Sequence, residues 1–357
     1  MEPAITVCIP TFNCAGFVRT AVNSVLGQTL PAAEVLIGDN ASTDETWDVI
    51  AQIKDARVHC FRNERNLGIA GNFNRLVAQA SGAYIKILCA DDWLEPDCLR
   101  RQAQLLHAHP ELAAVAGRRT IVNQAGELIS GPGQKVGVLQ VFDKPALIAS
   151  ALLRGNVLGE PSALLLRRDA LLRAGAFDPG RPMLVDLEMW VRLAAFGKIA
   201  LTGDIVCHVR RHPQSMTNTF RRQGKVQEDV ARLTGEWLRE TKASGFIRAI
   251  ALGKVTGSYL RHALFGMASG QWDWPVQALG RACRSGSGVA GLAAYWLLFR
   301  SGLLQLAVDA DGALRPAFGR MPPGTLGPGT RTGAPRSAKR WRVRGRISRK
   351  GGDSSSL

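Results

Sequence analysis

Short apolar runs alternate with stretches of helical period over the first hundred residues. ITVCIP (5–10), EVLIGD (34–39), VHCF (58–61) and AYIKILCA (83–90) are nearly continuous apolar segments, the pattern of strands buried on both faces. Between them the period changes. Val18, Val22, Val25 and Leu26 recur at helical spacing, as do Phe73, Leu76, Val77 and Ala80, so each stretch can lay one apolar face on a sheet. Ser42 followed by Glu45 predicts a capping box that opens the second helix, and Gly82 predicts the stop of the third. Strand, helix, strand, repeated three times, predicts an α/β fold with a right-handed, doubly wound, mostly parallel sheet.

Beyond about residue 111 the pattern is irregular, with Gly-rich turns at 131–137. Helical spacing returns in LVDLEMWVRLAAFG (184–197), where Leu187, Val191 and Leu193 or Ala194 can face the core, and RRHPQSMTN (210–218) predicts a loop. Helical segments dominate 226–308. The longest apolar stretch, 288–308, is broken by Arg300 and Gln305 and falls at the margin of the roughly 20 apolar residues a membrane span needs. Two placements are open for it: a buried helix of a small subdomain, or a helix lying on a membrane surface with Arg300 snorkelling. Residues 311–357 are rich in Gly, Pro, Ser and Arg and predict a disordered basic tail. The expected organisation is a domain at 1–225, a helical subdomain at 226–310 and the tail at 311–357.

Composition sharpens this picture in three places. With 357 residues, 46% of them hydrophobic, the chain can bury a large core. The net charge of +16 is unevenly spread: residues 1–100 hold 8 Lys/Arg against 12 Asp/Glu, whereas residues 251–357 hold 16 against 4. A tail whose most basic stretch, 331–350, has Trp341 as its lone aromatic is a poor nucleic-acid platform, so no nucleic acid is expected as partner, and an anionic membrane surface suits it better. Seven cysteines without a C-x-x-C pair predict reduced thiols, and the opening MEPAITV, lacking a basic n-region, predicts no secretory signal; a cytoplasmic setting follows.

Ligands of a doubly wound sheet collect at the carboxyl ends of its strands, where this chain places PTFN, DNASTD and ADDW. The first strand-to-helix turn reads IPTFNCAG rather than G-x-G-x-x-G, which excludes a nicotinamide dinucleotide cradle. Phe12 can stack on a base, and Asp39 can accept a hydrogen bond from an imide or a ribose hydroxyl. Asp91 and Asp92 are adjacent like charges, kept in a compact fold only where solvent, a hydrogen-bond partner or a cation relieves them. Capping of the helix that begins near Glu95 accounts for one of them better than for two.

VCIPTFN, SVLGQT, EVLIGDNASTDET, NLGIAGNFN, ASGAYIKILCADDWL, EPSALLLRRDALLRAGAFD, VDLEMWVRLAAFG and RRHPQS occur in that order, and together they resemble glycosyltransferase family 2 from residue 4 to about 220. The resemblance implies a GT-A type, Rossmann-like sheet and inverting transfer of a sugar from a nucleotide diphosphate sugar, most often a UDP-sugar, to an acceptor hydroxyl. It implies nucleotide contacts at Pro10, Thr11, Phe12, Asp39, Asn66, Gly68 and Asn72. The family's Asp-x-Asp signature is occupied by Cys89-Ala90-Asp91, so Asp91 inherits the metal-ligand role, with Asp92 on the nucleotide and His212 as a further ligand for Mn2+ or Mg2+. Asp186 corresponds to the catalytic base. Glu160, Glu188 and Trp190 fall on the acceptor side, Glu188 as the second choice of base and Trp190 open equally to core packing and to stacking on a sugar. The family's usual setting implies a glycan or lipid-linked glycan acceptor in polysaccharide or cell-envelope assembly, with the enzyme peripheral on the membrane. The acids replaced by Cys89 and Val185 leave open a catalytically silent, nucleotide-sugar-binding relative.

Overall fold

A computed structural model describes residues 4–132, 137–216, 225–243, 245–268, 304–308 and 314–318. Strands β1 (Ile5–Thr11), β2 (Glu34–Asp39), β3 (Val58–Arg62) and β4 (Tyr84–Ile87) alternate with helices α1 (Val18–Leu26), α2 (Thr46–Ala51) and α3 (Gly68–Gln79). They pair in parallel in the order β3-β2-β1-β4. Register matters for function here. Thr11 pairs with Asp39 and Asp39 with Arg62, so the carboxyl ends of three strands finish level and open onto one rim.

The second half of the sheet is mixed. After β5 (Trp93–Leu94) and α4 (Cys98–Ala108) come β6 (Leu112–Val122), β7 (Leu128–Ser130) and β8 (Val138–Phe142). Helix α5 (Lys144–Arg154), β9 (Leu164–Arg167), α6 (Arg168–Ala174), α7 (Val185–Leu193) and β10 (Lys198–Arg210) follow. β9 inserts antiparallel between β4 and β6, and β10 runs parallel to β6, giving the order β3-β2-β1-β4-β9-β6-β10-β5. The α/β expectation is met: a parallel half continues into a mixed half.

Helices α8 (Lys225–Glu240) and α9 (Gly245–Ala268) bear out the helical period past 225. Their Leu233, Trp237, Leu238, Ile247 and Ile250 join the same core as the sheet. The apolar 288–308 stretch departs from its helical expectation at its end, because Leu304–Val308 pairs antiparallel with Leu314–Phe318, the latter inside the expected tail. Leu304, Leu306 and Val308 recur every second residue, which suits a ladder better than a helix. Residues 288–303, the rest of that stretch, lie outside the described residues. No helix among the described residues is long and apolar enough to cross a membrane.

Two local expectations are corrected. The Ser42–Glu45 capping box does not form: α2 begins at Thr46, whose backbone N–H is taken by Asp44 Oδ1 at 3.1 Å, while the Ser42 hydroxyl turns to Asp39. Gly82 is no helix stop, since α3 ends at Gln79 with Ala80 already extended. Its role is close approach: a Cβ there would lie 2.6 Å from the Thr6 backbone nitrogen.

Candidate functional site

A cleft of about 850 Å³ opens where the parallel half of the sheet meets the mixed half. Its first wall is the end of β1, with Pro10, Thr11 and Phe12. The loop beyond is pinned by the segment after β2: Asn13 N–H donates to Ser42 Oγ at 3.0 Å, Cys14 N–H to Thr46 Oγ1 at 2.8 Å and Ala15 N–H to Asp44 Oδ2 at 3.2 Å. DNASTD is thus a clamp for the β1 loop. Asp39, expected to read the nucleotide, does not line the cleft. It is fully buried, with Oδ1 accepting from Ser42 and Oδ2 facing Arg62 Nε at 3.1 Å.

Asn66, Gly68 and Asn72 do line the cleft. Gly68 has φ +74, which lets the chain enter α3 with its N–H on Asn66 Oδ1 at 2.8 Å. Asn72 donates to the Gly38 carbonyl at 2.9 Å, and Asn40, unnoticed in the sequence although it follows Asp39, donates to Asn66 Oδ1 at 2.8 Å. Amides are suited to this rim because each both donates and accepts.

The next wall holds the paired aspartates. β4 ends at Ile87, earlier than expected, because Cys89 N–H leaves the ladder for Ser162 Oγ at 3.1 Å, on a short turn at Pro161–Ala163. Asp92 is buried, its Oδ2 accepting from Ser162 Oγ at 2.6 Å and its Oδ1 from Arg210 N–H at 3.0 Å. Burial, with the neighbouring Asp91 charge, pushes its carboxyl well above the usual range. Asp91 is more open and lies 3.3 Å from His212 Nε2, and the hydrogen bond to Asp91 raises the imidazole above its ordinary value. Ligand atoms of Cys89, Asp91 and Asp92 come within 4.8 Å of one another. Crowded negative charge with oxygen donors and a nearby imidazole fits a hard divalent ion, which would relieve what burial opposes. Residues that could hold such an ion are Cys89, Asp91 and Asp92, with His212 3.3 Å from Asp91.

The base side is assembled from α7 and the segment after α5. Asp186, in the first turn of α7, lines the same cleft half-buried. Its Oδ2 accepts from Asn156 Nδ2 at 2.9 Å and its Oδ1 from the Leu187 N–H at 2.7 Å. Burial pushes the carboxyl up to about 7, the Leu187 N–H opposes the rise, and the Glu160 charge adds to it. Glu160 also lines the cleft, accepting from Arg211 at 2.8 Å and paired with Arg119.

Two acceptor-side expectations are corrected. Glu188 is turned away and tied to Arg192 by two bonds of 2.6 and 2.8 Å, because two positions along a helix reverses the facing. Trp190 is wholly buried, edge-on to Phe177 at 6.4 Å, and belongs to the core. Sequence reasoning missed Arg119, Asn156, Ser162, Arg210 and Arg211. The two arginines stood beside His212 in RRHPQS, whereas Asn156 carried no signal.

Comparison with known proteins places this geometry. Residues 6–168 match the family described as Glycosyl transferase family 2. An uncharacterized protein of Mycobacterium tuberculosis is 28% identical over 228 residues, 61% of this chain and 70% of that protein. WfaP of Escherichia coli, a UDP-Glc:alpha-D-GlcNAc-diphosphoundecaprenol beta-1,3-glucosyltransferase, is 39% identical over 89 residues, 25% of this chain and 36% of WfaP, so only about a third of that relative is spanned. The crystal structure of S. aureus TarS 1-349 in complex with UDP-GlcNAc shares the fold, with a TM-score of 0.53 at 16% identity over 90% of this chain and 98% of the other. Residues 6–168 thus carry a segment that matches Glycosyl transferase family 2, and the chain has the fold of the TarS structure.

Proposed function

We propose that this chain moves a sugar from a nucleotide diphosphate sugar to an acceptor hydroxyl by a single inverting displacement, with Asp186 as the base. One observation carries the reading. A single cleft holds a carboxylate tuned to about 7 on one wall and the Asp91–Asp92 turn on another. A base with that proton affinity is half-ionised near neutrality, where it can take a proton while still driving its transfer.

In the step, the acceptor oxygen bonds to the anomeric carbon as the bond from that carbon to the diphosphate oxygen breaks. The acceptor proton passes to Asp186 Oδ. Asn156 and the Leu187 N–H hold that carboxylate in one orientation. Pro10, Thr11 and Phe12 form the face for the base of the nucleotide, with Asn66, Gly68 and Asn72 at its edge. Asp91 and His212 would hold Mn2+ or Mg2+, which would supply the positive charge that neutralises the diphosphate. Asp39 acts from beneath by fixing Ser42, and so the β1 loop.

The names of WfaP and of the TarS complex support a UDP-sugar as donor, and that of WfaP supports a lipid-linked glycan as acceptor. Such an acceptor suits a cytoplasmic enzyme that docks on an anionic membrane face through its basic C-terminal region, in cell-envelope glycan assembly. A second reading, sugar-nucleotide binding without turnover, is favoured by Cys89 in the place of the family's first acid. Release of UDP from UDP-Glc and UDP-GlcNAc with Mn2+ and lipid-linked acceptors separates the two. Turnover that collapses in Asp186→Asn is expected; full turnover in that variant removes Asp186 as base. UDP-induced thermal stabilisation with no turnover on any pair selects the silent reading.

A further inference from the structure

Arg210 is the most heavily engaged cation of the cleft. Its guanidinium lies between two rings, 4.9 Å from the centre of Phe17 and 4.8 Å from that of Trp93. In the plane left open by those faces, Nε donates to the Asp91 carbonyl at 3.0 Å and Nη1 to the Gln124 carbonyl at 2.6 Å. Its backbone N–H takes Asp92 Oδ1. The residue is 7% exposed, so a charge this size is retained in the wall only because every face is engaged. Trp93 is itself held, stacked at 4.7 Å on His208, whose ring is fixed by Glu95 and Thr120 at 2.8 and 2.6 Å.

The column therefore joins four pieces of chain that sequence keeps apart: the β1 loop, the turn between β4 and β5, the hairpin after β6 and the end of β10. At its centre lies the peptide that aims Asp91. We infer that Arg210 is a positioning residue for the cation-binding turn, fixing Asp91 through its backbone and Asp92 through its carboxylate. This rests on the reading of Asp91 as a cation ligand. A planar guanidinium can stack on two rings while its edge donates to carbonyls; a lysine ammonium keeps the charge and loses the fork.

That difference supplies the test, because a charge effect and a positioning effect have opposite signs. If Arg210 acted through its charge alone, Arg210→Lys would bind cations as the native chain does, and Arg210→Met would bind them more tightly by removing repulsion. As a positioning residue, both substitutions loosen the turn. Mn2+ binding to the full chain, followed by the electron-spin resonance of free Mn2+, is expected to weaken about 10- to 100-fold in Arg210→Lys. Trp93→Leu leaves the arginine in place but removes one face, and is expected to weaken binding severalfold. The Mn2+ concentration for half-maximal turnover should rise by the same factor. Near-UV circular dichroism checks that each variant is folded; if Arg210→Lys is not, Trp93→Leu decides. Folded variants with native Mn2+ affinity overturn the inference. A native chain that binds UDP but no Mn2+ overturns the cation reading beneath it instead.

Discussion

The two walls of the cleft are built by different means. On the donor wall, β1, β2 and β3 end level in a parallel ladder, and the loops they release are tied by hydrogen bonds between neighbouring βα units. On the base wall, Asp186 depends on Asn156, thirty positions away in the chain, and Glu160 on Arg119 and Arg211. Repetition makes the first wall redundant, so that losing one contact leaves the rim held by the next. The second wall rests on a few contacts distant in sequence, with two partners for each carboxylate: Asn156 and the Leu187 N–H for Asp186, Arg119 and Arg211 for Glu160. Substitutions on the base wall should therefore reach the chemistry directly, and those on the donor wall should be read mainly in binding.

The largest break in that comparison is Asp186→Asn. It is expected to lower turnover by about 10²- to 10⁴-fold with the apparent affinity for donor little changed, measured as UDP release. In the native chain kcat/KM should fall tenfold per unit below a pH of about 7 and level off above it, because the base must be ionised and burial holds it protonated to that point. The residual rate of the variant should lack this limb. Asp91→Asn is next, with a loss on the order of 10²-fold at fixed Mn2+ that shrinks as the cation is raised. Asn156→Ala should be smaller and of another kind. It removes a hydrogen bond that favours the charged carboxylate, so the acid limb shifts upward; turnover drops severalfold near pH 6.5 and recovers by pH 9. Least affected is Glu188→Gln, which breaks a partly exposed helix pair worth about 0.5 kcal/mol, seen as a small fall in Tm with turnover within about twofold.

Most of the donor wall was legible because its signals are local. A buried strand reads as an apolar run, and the polar residues that follow it must lie at the rim of the sheet. Asp39 shows the limit of that logic: its place at the end of β2 was right, but whether a carboxylate faces a cleft or the floor beneath depends on Ser42 and Arg62, which no local pattern reports. The place of Asp186 on the cleft followed from motif resemblance, and that of Asn156, which hydrogen-bonds it, did not, because a lone asparagine in a loop has no periodicity. Glu188 and Trp190 lie away from the cleft for a simpler reason. Helical facing decides both, and only one side of α7 meets the cleft.

The answer to the adjacent aspartates is that they do not share a fate. Asp92 is relieved from within by Ser162 and by the backbone of Arg210, and Asp91 from the cleft side by His212. Two neighbours in sequence thus serve opposite ends, one anchoring the turn and the other facing the ligand space.

The end of β10 carries a constraint on chain length. Arg210, Arg211 and His212 follow one another directly, yet each reaches a different set of atoms: the Asp91 carbonyl and the Asp92 carboxylate, the Glu160 carboxylate, and the Asp91 carboxylate. Because side chains alternate across a strand, gaining or losing one residue in the last turns of pairing would hand each its neighbour's task. Length variation among relatives should consequently accumulate in the hairpin beyond β6 and be purged from this stretch.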